Sequence, residues 1–141
     1  MVSIEQIVAV SGQPGLYKLI SSRSNGLVLE DLTNGKTNFY SSRNSEFAPL
    51  ESMGIYTLGE TIALKDVYEK FVEFEKNTKI PSHDEADNVI KEFFQIALPE
   101  HDPYRVRPRD MKKCLKWYHQ LKSHQLIVQE DNTSNPPEKT D

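Results

Sequence analysis

The sequence predicts an α+β protein: a small SH3-like antiparallel β-barrel of about five short strands, then a three-helix C-terminal subdomain and a disordered tail. Three observations carry this expectation. Asn25-Gly26 and Asn34-Gly35 separate short apolar runs in the first half, apolar residues recur at intervals of three and four after Leu64, and 129–141 hold no aliphatic or aromatic side chain. The expected units are therefore a barrel over 1–63, a helical domain over 64–128 and a tail over 129–141.

The strands come first. "GLYKLISS" (15–22), "LVLEDL" (27–32) and "KTNFYS" (36–41) are rich in apolar and aromatic residues. Asn-Gly supplies the positive φ angles of type I′ turns, so the two pairs predict a three-stranded meander. With two-residue loops, Leu19 lies opposite Leu32, Leu32 opposite Thr37, and Phe39 opposite Glu30. One face then carries Tyr17, Leu19, Val28, Leu32 and Phe39, and the other Leu16, Ile20, Leu27, Leu29 and Tyr40. A sheet apolar on both faces must curl on itself and also take helices on its outside. "GIYTL" (54–58) and "TIAL" (61–64), joined at Gly59-Glu60, read as the fourth and fifth strands. "SIEQIVAV" (3–10) fits either a helical turn or an edge strand.

After Leu64 the period changes. Leu64, Val67, Tyr68, Phe71 and Phe74 form one helical stripe, with Asp66, Glu69, Lys70 and Glu73 opposite. Ser82 and Glu85 have capping-box spacing ahead of a second helix over about 83–98, whose stripe is Ala86, Val89, Ile90, Phe93 and Ala97 and which Pro99 ends. The third helix follows "EHDPYRVRP". At 100° per residue, Cys114, Leu115, Tyr118 and Leu121 fall within about 80° of Met111, Arg109, Lys112, Lys113 and Lys116 cluster on the far side, and Trp117 stands at the border. The tail "QEDNTSNPPEKTD" cannot repay the entropy of ordering.

Composition narrows the class. The 141 residues are 37% hydrophobic and 27% charged with net charge −4, as in globular soluble proteins, and no apolar run reaches the roughly 18 residues of a membrane span. The N-terminus has no secretory pattern and Cys114 is the single cysteine, so a cytoplasmic protein without a membrane partner is expected. Charge is unevenly spread: residues 61–102 sum to −5, 103–124 to +6 and 125–141 to −3. The basic helix thus has acidic neighbours in its own chain.

Signatures of catalysis are missing. His119 and His124, five apart, diverge on a helix and do not chelate one ion as an i, i+4 pair does. "HDEAD" (83–87) places acids where a helix N-terminus favours them anyway. "SGQPG" (11–15) lacks the spacing and lysine of a phosphate loop. Cys114 lies on an apolar stripe and reads as a core residue. No catalytic residue, metal or cofactor is expected.

"VSGQPGLYKLISS", "NGLVLEDLTNGK", "IYTLGETIAL" and above all "DMKKCLKWYHQL" resemble an uncharacterised bacterial family, domain of unknown function 5606, together with its helical C-terminal partner domain, over about 4–127. The resemblance implies a fold and no catalytic residue. Where the family tends to place a small capping residue before the third helix, this chain has Pro108-Arg109.

The expected function is a non-enzymatic protein-interaction or assembly module, acting on an unknown protein partner or by self-association. The alternative is nucleic-acid binding by the basic helix (109–122) and the barrel, with Trp117 stacking on a base. Arg109, Lys112, Lys113, Lys116, Trp117, Tyr40, Tyr56 and Tyr104 are the candidate surface. Ion pairs from the helix to Asp84, Asp87 or Glu92 would favour a structural role for its charges, and an open positive groove a binding role.

Overall fold

A computed structural model of the chain describes residues 2–13 and 15–128. "SIEQIVAV" resolves as a strand, β1 (Ile7–Val10), followed by β2 (Leu16–Arg23), β3 (Gly26–Asp31), β4 (Thr37–Ser41) and β5 (Phe47–Pro49). These form one antiparallel sheet in the order β4-β3-β2-β1-β5. It is open rather than closed into a barrel, with β4 and β5 as its edges. The segments expected as fourth and fifth barrel strands pair only with each other, as β6 (Gly54–Ile55) and β7 (Ile62–Ala63). The sheet instead recruits β5, three residues ending in proline, too short and irregular to announce itself by alternation.

The meander exists but its register differs from the two-residue-loop expectation. Arg23 pairs with Gly26 and Glu30 with Thr37, so the first turn lies at Ser24-Asn25 and the second is longer. In the second turn Asp31 Oδ1 accepts the Thr33 N–H at 2.8 Å, and Gly35 takes φ +74°, a conformation open to glycine at no steric cost. The shift that changes the faces is a bulge at Ile20: Leu19 pairs with Leu29 and Ser21 with Val28. An extra residue on one strand flips the side-chain alternation beyond it. Tyr17 and Leu19 therefore join Leu27, Leu29 and Tyr40 around a small core with Val10 and Phe47, while Ile20 and Phe39 stay about half exposed. Gly26 is required where β4 crosses it, because a Cβ there would lie 2.2 Å from the Tyr40 carbonyl oxygen.

The helices are α1 (Leu64–Glu75), α2 (Asp87–Ala97) and α3 (Pro108–Ser123). α2 starts later than the Ser82/Glu85 spacing suggests. Ser82 Oγ accepts the Asp84 N–H at 3.2 Å and closes a turn instead of capping the helix. At α3, Pro108 occupies the first helical position, where its missing N–H costs nothing, and Asp110 Oδ2 accepts the Arg107 N–H at 3.0 Å. The large core joins Tyr68, Phe71, Phe94, Leu115, Tyr118 and Leu121 to Ile4, Ile7, Leu16 and Leu50 from the first half. The expected boundary at 63/64 falls where β7 meets α1, and this core draws on residues from both sides of it. Gln120 on α3 fastens helix to sheet: its Oε1 accepts the Leu16 N–H at 3.0 Å and its Nε2 donates to Thr33 Oγ1 at 3.2 Å. The tail expected over 129–141 lies outside the described residues.

Candidate interaction groove

α3 offers two different faces. Inward, Leu115, Tyr118 and Leu121 are fully buried. The Tyr118 hydroxyl donates to Glu75 Oε1 at 2.7 Å, and Lys122 Nζ binds Glu75 Oε2. Burial opposes ionisation of Glu75, yet the hydrogen bonds from Lys122 and Tyr118 together outweigh it and hold the carboxyl below its ordinary range. The Tyr68 hydroxyl donates to the Cys114 carbonyl at 2.9 Å. Burial pushes the Cys114 thiol up to about 12, so it stays protonated and packs as a small apolar group.

Outward, α3 faces the β1–β5 end of the sheet across a groove of about 830 Å³. On its sheet side Ala9 and Ala48, directly paired across β1 and β5, are small and leave the space between sheet and helix unfilled. Ser11–Gln13 and Glu46 form one rim, Lys112, Lys113, Lys116 and Trp117 the other, with Met53 and His83 completing the lining. A second concavity, of about 420 Å³, adjoins it. That one is lined by Ile55, Tyr56, Leu64, Val106, Cys114 and Asp110 among others, and shares Met53, Lys113 and Trp117 with the first.

The cations of the helix meet different fates. Lys112 Nζ lies 2.7 Å from Asp87 Oδ1, and that hydrogen bond holds the Asp87 carboxyl below its usual range. Lys113 Nζ stands 5.8 Å from the centroid of the Trp117 ring. Among the described residues neither Lys113 nor Lys116 has a carboxylate within ion-pair distance. Among the described residues Glu46 is the one carboxylate on the larger groove's lining.

The other candidates separate. Trp117 is only 9% exposed, so it presents an edge rather than an open stacking face. Tyr56 lies beneath the Arg105 guanidinium, 4.4 Å from its ring centroid, and Arg105 is held by Asp102 at 2.8 Å and the Thr57 carbonyl at 3.2 Å. The Arg105 hydrogen bond, seconded by the Tyr104 N–H, keeps the Asp102 carboxyl low. Tyr104 is 82% exposed and lines a separate depression with His101 and Arg107. Tyr40 is half-buried, its ring edge-on to Tyr17 at 5.4 Å in the small sheet core, which accounts for it by packing. Arg109 lines none of these hollows. The structure thus gathers Lys112, Lys113, Lys116, Trp117 and Tyr56 along one continuous lining and leaves Arg109, Tyr40 and Tyr104 outside it. Ala9, Ala48 and Met53 escaped sequence reasoning, since nothing in a small or flexible apolar residue signals that a helix will face it.

Among the described residues no three His, Cys, Asp or Glu side chains converge as for a metal ion, and no helix is long and apolar enough to cross a membrane. His119 Nε2 lies 2.9 Å from the Pro81 carbonyl oxygen. Fold and site together define a small α+β protein with an open groove that is apolar at its base and cationic along one rim. Residues 4–50 match the family model described as Domain of unknown function (DUF5606), and residues 53–121 match the one described as Domain of unknown function (DUF6852). A solution NMR structure of a Bacteroides vulgatus protein from a structural genomics consortium is 28% identical, covering 89% of this chain and 90% of that one with a TM-score of 0.69. No curated protein matches the chain.

Proposed function

We propose that the chain is a non-enzymatic protein-interaction module that seats a segment of a partner protein between α3 and the β1–β5 end of its sheet. The observation that carries this reading is the groove itself: Lys113 and Lys116, free of carboxylates among the described residues, stand beside Trp117 and Met53 over the Ala9/Ala48 base. A hollow of several hundred Å³ with an apolar base and a few polar groups at its rim is the form binding sites take.

Nucleic acid fits the same surface less well. Lys112 is committed to Asp87, Glu46 sits on the opposite rim, and the buried Trp117 offers a base little area for stacking. An SH3-like arrangement of the sheet is part of the proposal, supported by the return of β5 to β1 and by the small core of Val10, Tyr17 and Leu29. So is a cytoplasmic setting, supported by the single buried cysteine.

Trp117 is the only tryptophan, so its emission reports the groove directly. Random dodecapeptides displayed on phage and selected on the full chain are expected to yield binders that shift this emission. Selected peptides that leave it unmoved, or a random single-stranded oligonucleotide that moves it at low salt with a steep salt dependence, would overturn the proposal.

A further inference from the structure

The class of ligand this groove takes, which rests on the reading above, turns on how its two concavities are joined. They meet along one line of α3, Lys113 and Trp117, and over one residue of the loop before β6, Met53. Lys112 and Lys116 lie only on the larger side, Asp110 and Cys114 only on the smaller. An occupant that fills both must cross the helix at Lys113.

The two ends differ in chemistry. On the larger side, Lys113 and Lys116 lie one helical turn apart with no carboxylate of their own among the described residues, a pair that an anionic group neutralises at modest desolvation cost because Lys113 is exposed and Lys116 only partly buried. On the smaller side the charges are already spoken for. Arg105 is bound to Asp102, and Asp110 accepts the Arg107 N–H. What remains there is the apolar lining of Ile55, Leu64 and Val106, edged by Tyr56. Tyr56 is half exposed and held flat beneath Arg105, so its position is set before any ligand arrives.

The flanking strand edge argues for side-chain rather than backbone recognition. β5 is three residues long and ends in Pro49, which has no N–H to offer an added strand. A partner therefore gains its hold from the groove and not from lengthening the sheet. We infer that the groove takes an acidic linear peptide: carboxylates beside Lys113 and Lys116, and a neighbouring large apolar side chain seated in the smaller concavity against Tyr56.

The test uses the full chain and the dodecapeptide selection, with affinity read from Trp117 emission. Enriched sequences are expected to carry acidic residues within a few positions of a large apolar one. The double variant Lys113→Glu/Lys116→Glu should lower their affinity roughly tenfold or more and abolish or reverse its fall with rising salt, since the attraction that salt screens is replaced by repulsion. Tyr56→Ala should weaken the parent peptide several-fold and leave unchanged a peptide whose apolar anchor is replaced by serine, the coupling expected of a direct contact. A retained circular dichroism spectrum and melting midpoint in each variant separates lost binding from lost folding.

Selected peptides that move Trp117 emission but lack acidic residues, or that bind both variants as well as wild type, would overturn the acidic-peptide inference while leaving a peptide-binding groove intact. Peptides that fail to move the emission at all would remove the groove reading and this inference with it.

Discussion

On its inner face α3 commits every group it carries: Leu115, Tyr118 and Leu121 are sealed in the core and Lys122 is bound to Glu75. On its outer face the same helix leaves Lys113 and Lys116 without acidic partners among the described residues, and Trp117 at the edge of a hollow. Lysines stand on both sides of the helix, in unlike surroundings. α1 brings Glu75 and α2 brings Asp87 to the lysines they meet, whereas the sheet end across from Lys113 and Lys116 brings alanines and the lone Glu46. A lysine's role here is decided by the element opposite it, which is why a basic helix alone did not indicate a function.

The largest expected effect comes from breaking the inner face. Leu115→Ala should cost about 2–5 kcal/mol in urea denaturation, since a fully buried side chain is removed and its space is not refilled. Labelling of Cys114 by a thiol reagent should then accelerate in step with the loss of stability, because the thiol is reachable only when the core opens.

Glu75→Gln tests the polar part of the same face and should cost about 1–3 kcal/mol near neutral pH by leaving Lys122 without its carboxylate. Its pH dependence has a definite sign. The folded carboxyl is held below its ordinary value of 4.5, so its contribution is complete above that value and is lost as pH falls through the lower folded value. The gap between wild type and variant should therefore narrow in acid. A gap that widened on acidification would show that Lys122 and Tyr118 do not stabilise the ionised form.

The smallest stability effect belongs to the outer face. Lys113→Glu/Lys116→Glu should melt within about 0.5 kcal/mol of wild type, as surface changes away from packing and pairs do. A loss comparable to Leu115→Ala would erase the contrast between the faces and make both lysines structural.

How much of this was legible depends on whether a feature is local. The helical period placed Met111, Cys114, Leu115, Tyr118 and Leu121 on one stripe and Trp117 at its border, and the structure buries all five and sets Trp117 beside the groove. The meander was legible from its Asn-Gly pairs, but its register was not. The bulge at Ile20 shifts the pairing between Leu19 and Ser21, and no local signal at Ile20 announces it. Among the candidate residues, Tyr40 packs on Tyr17 and Arg109 lies outside the groove's lining although one turn from Lys113, placements that neither residue type nor sequence spacing announces.

By itself the sequence determined the α+β class, the three helices and the sorting of α3 into an apolar and a cationic side, because these follow from periodicity and turn chemistry within a few residues. Only the tertiary structure decided that the sheet stays open, that β5 rather than 54–64 completes it, and that Ala9 and Ala48 come to lie across from Lys113 and Lys116. Those outcomes depend on which surfaces of distant segments fit together. A hollow is made by what neighbouring side chains leave unfilled, and that is a property of their packing rather than of any one residue.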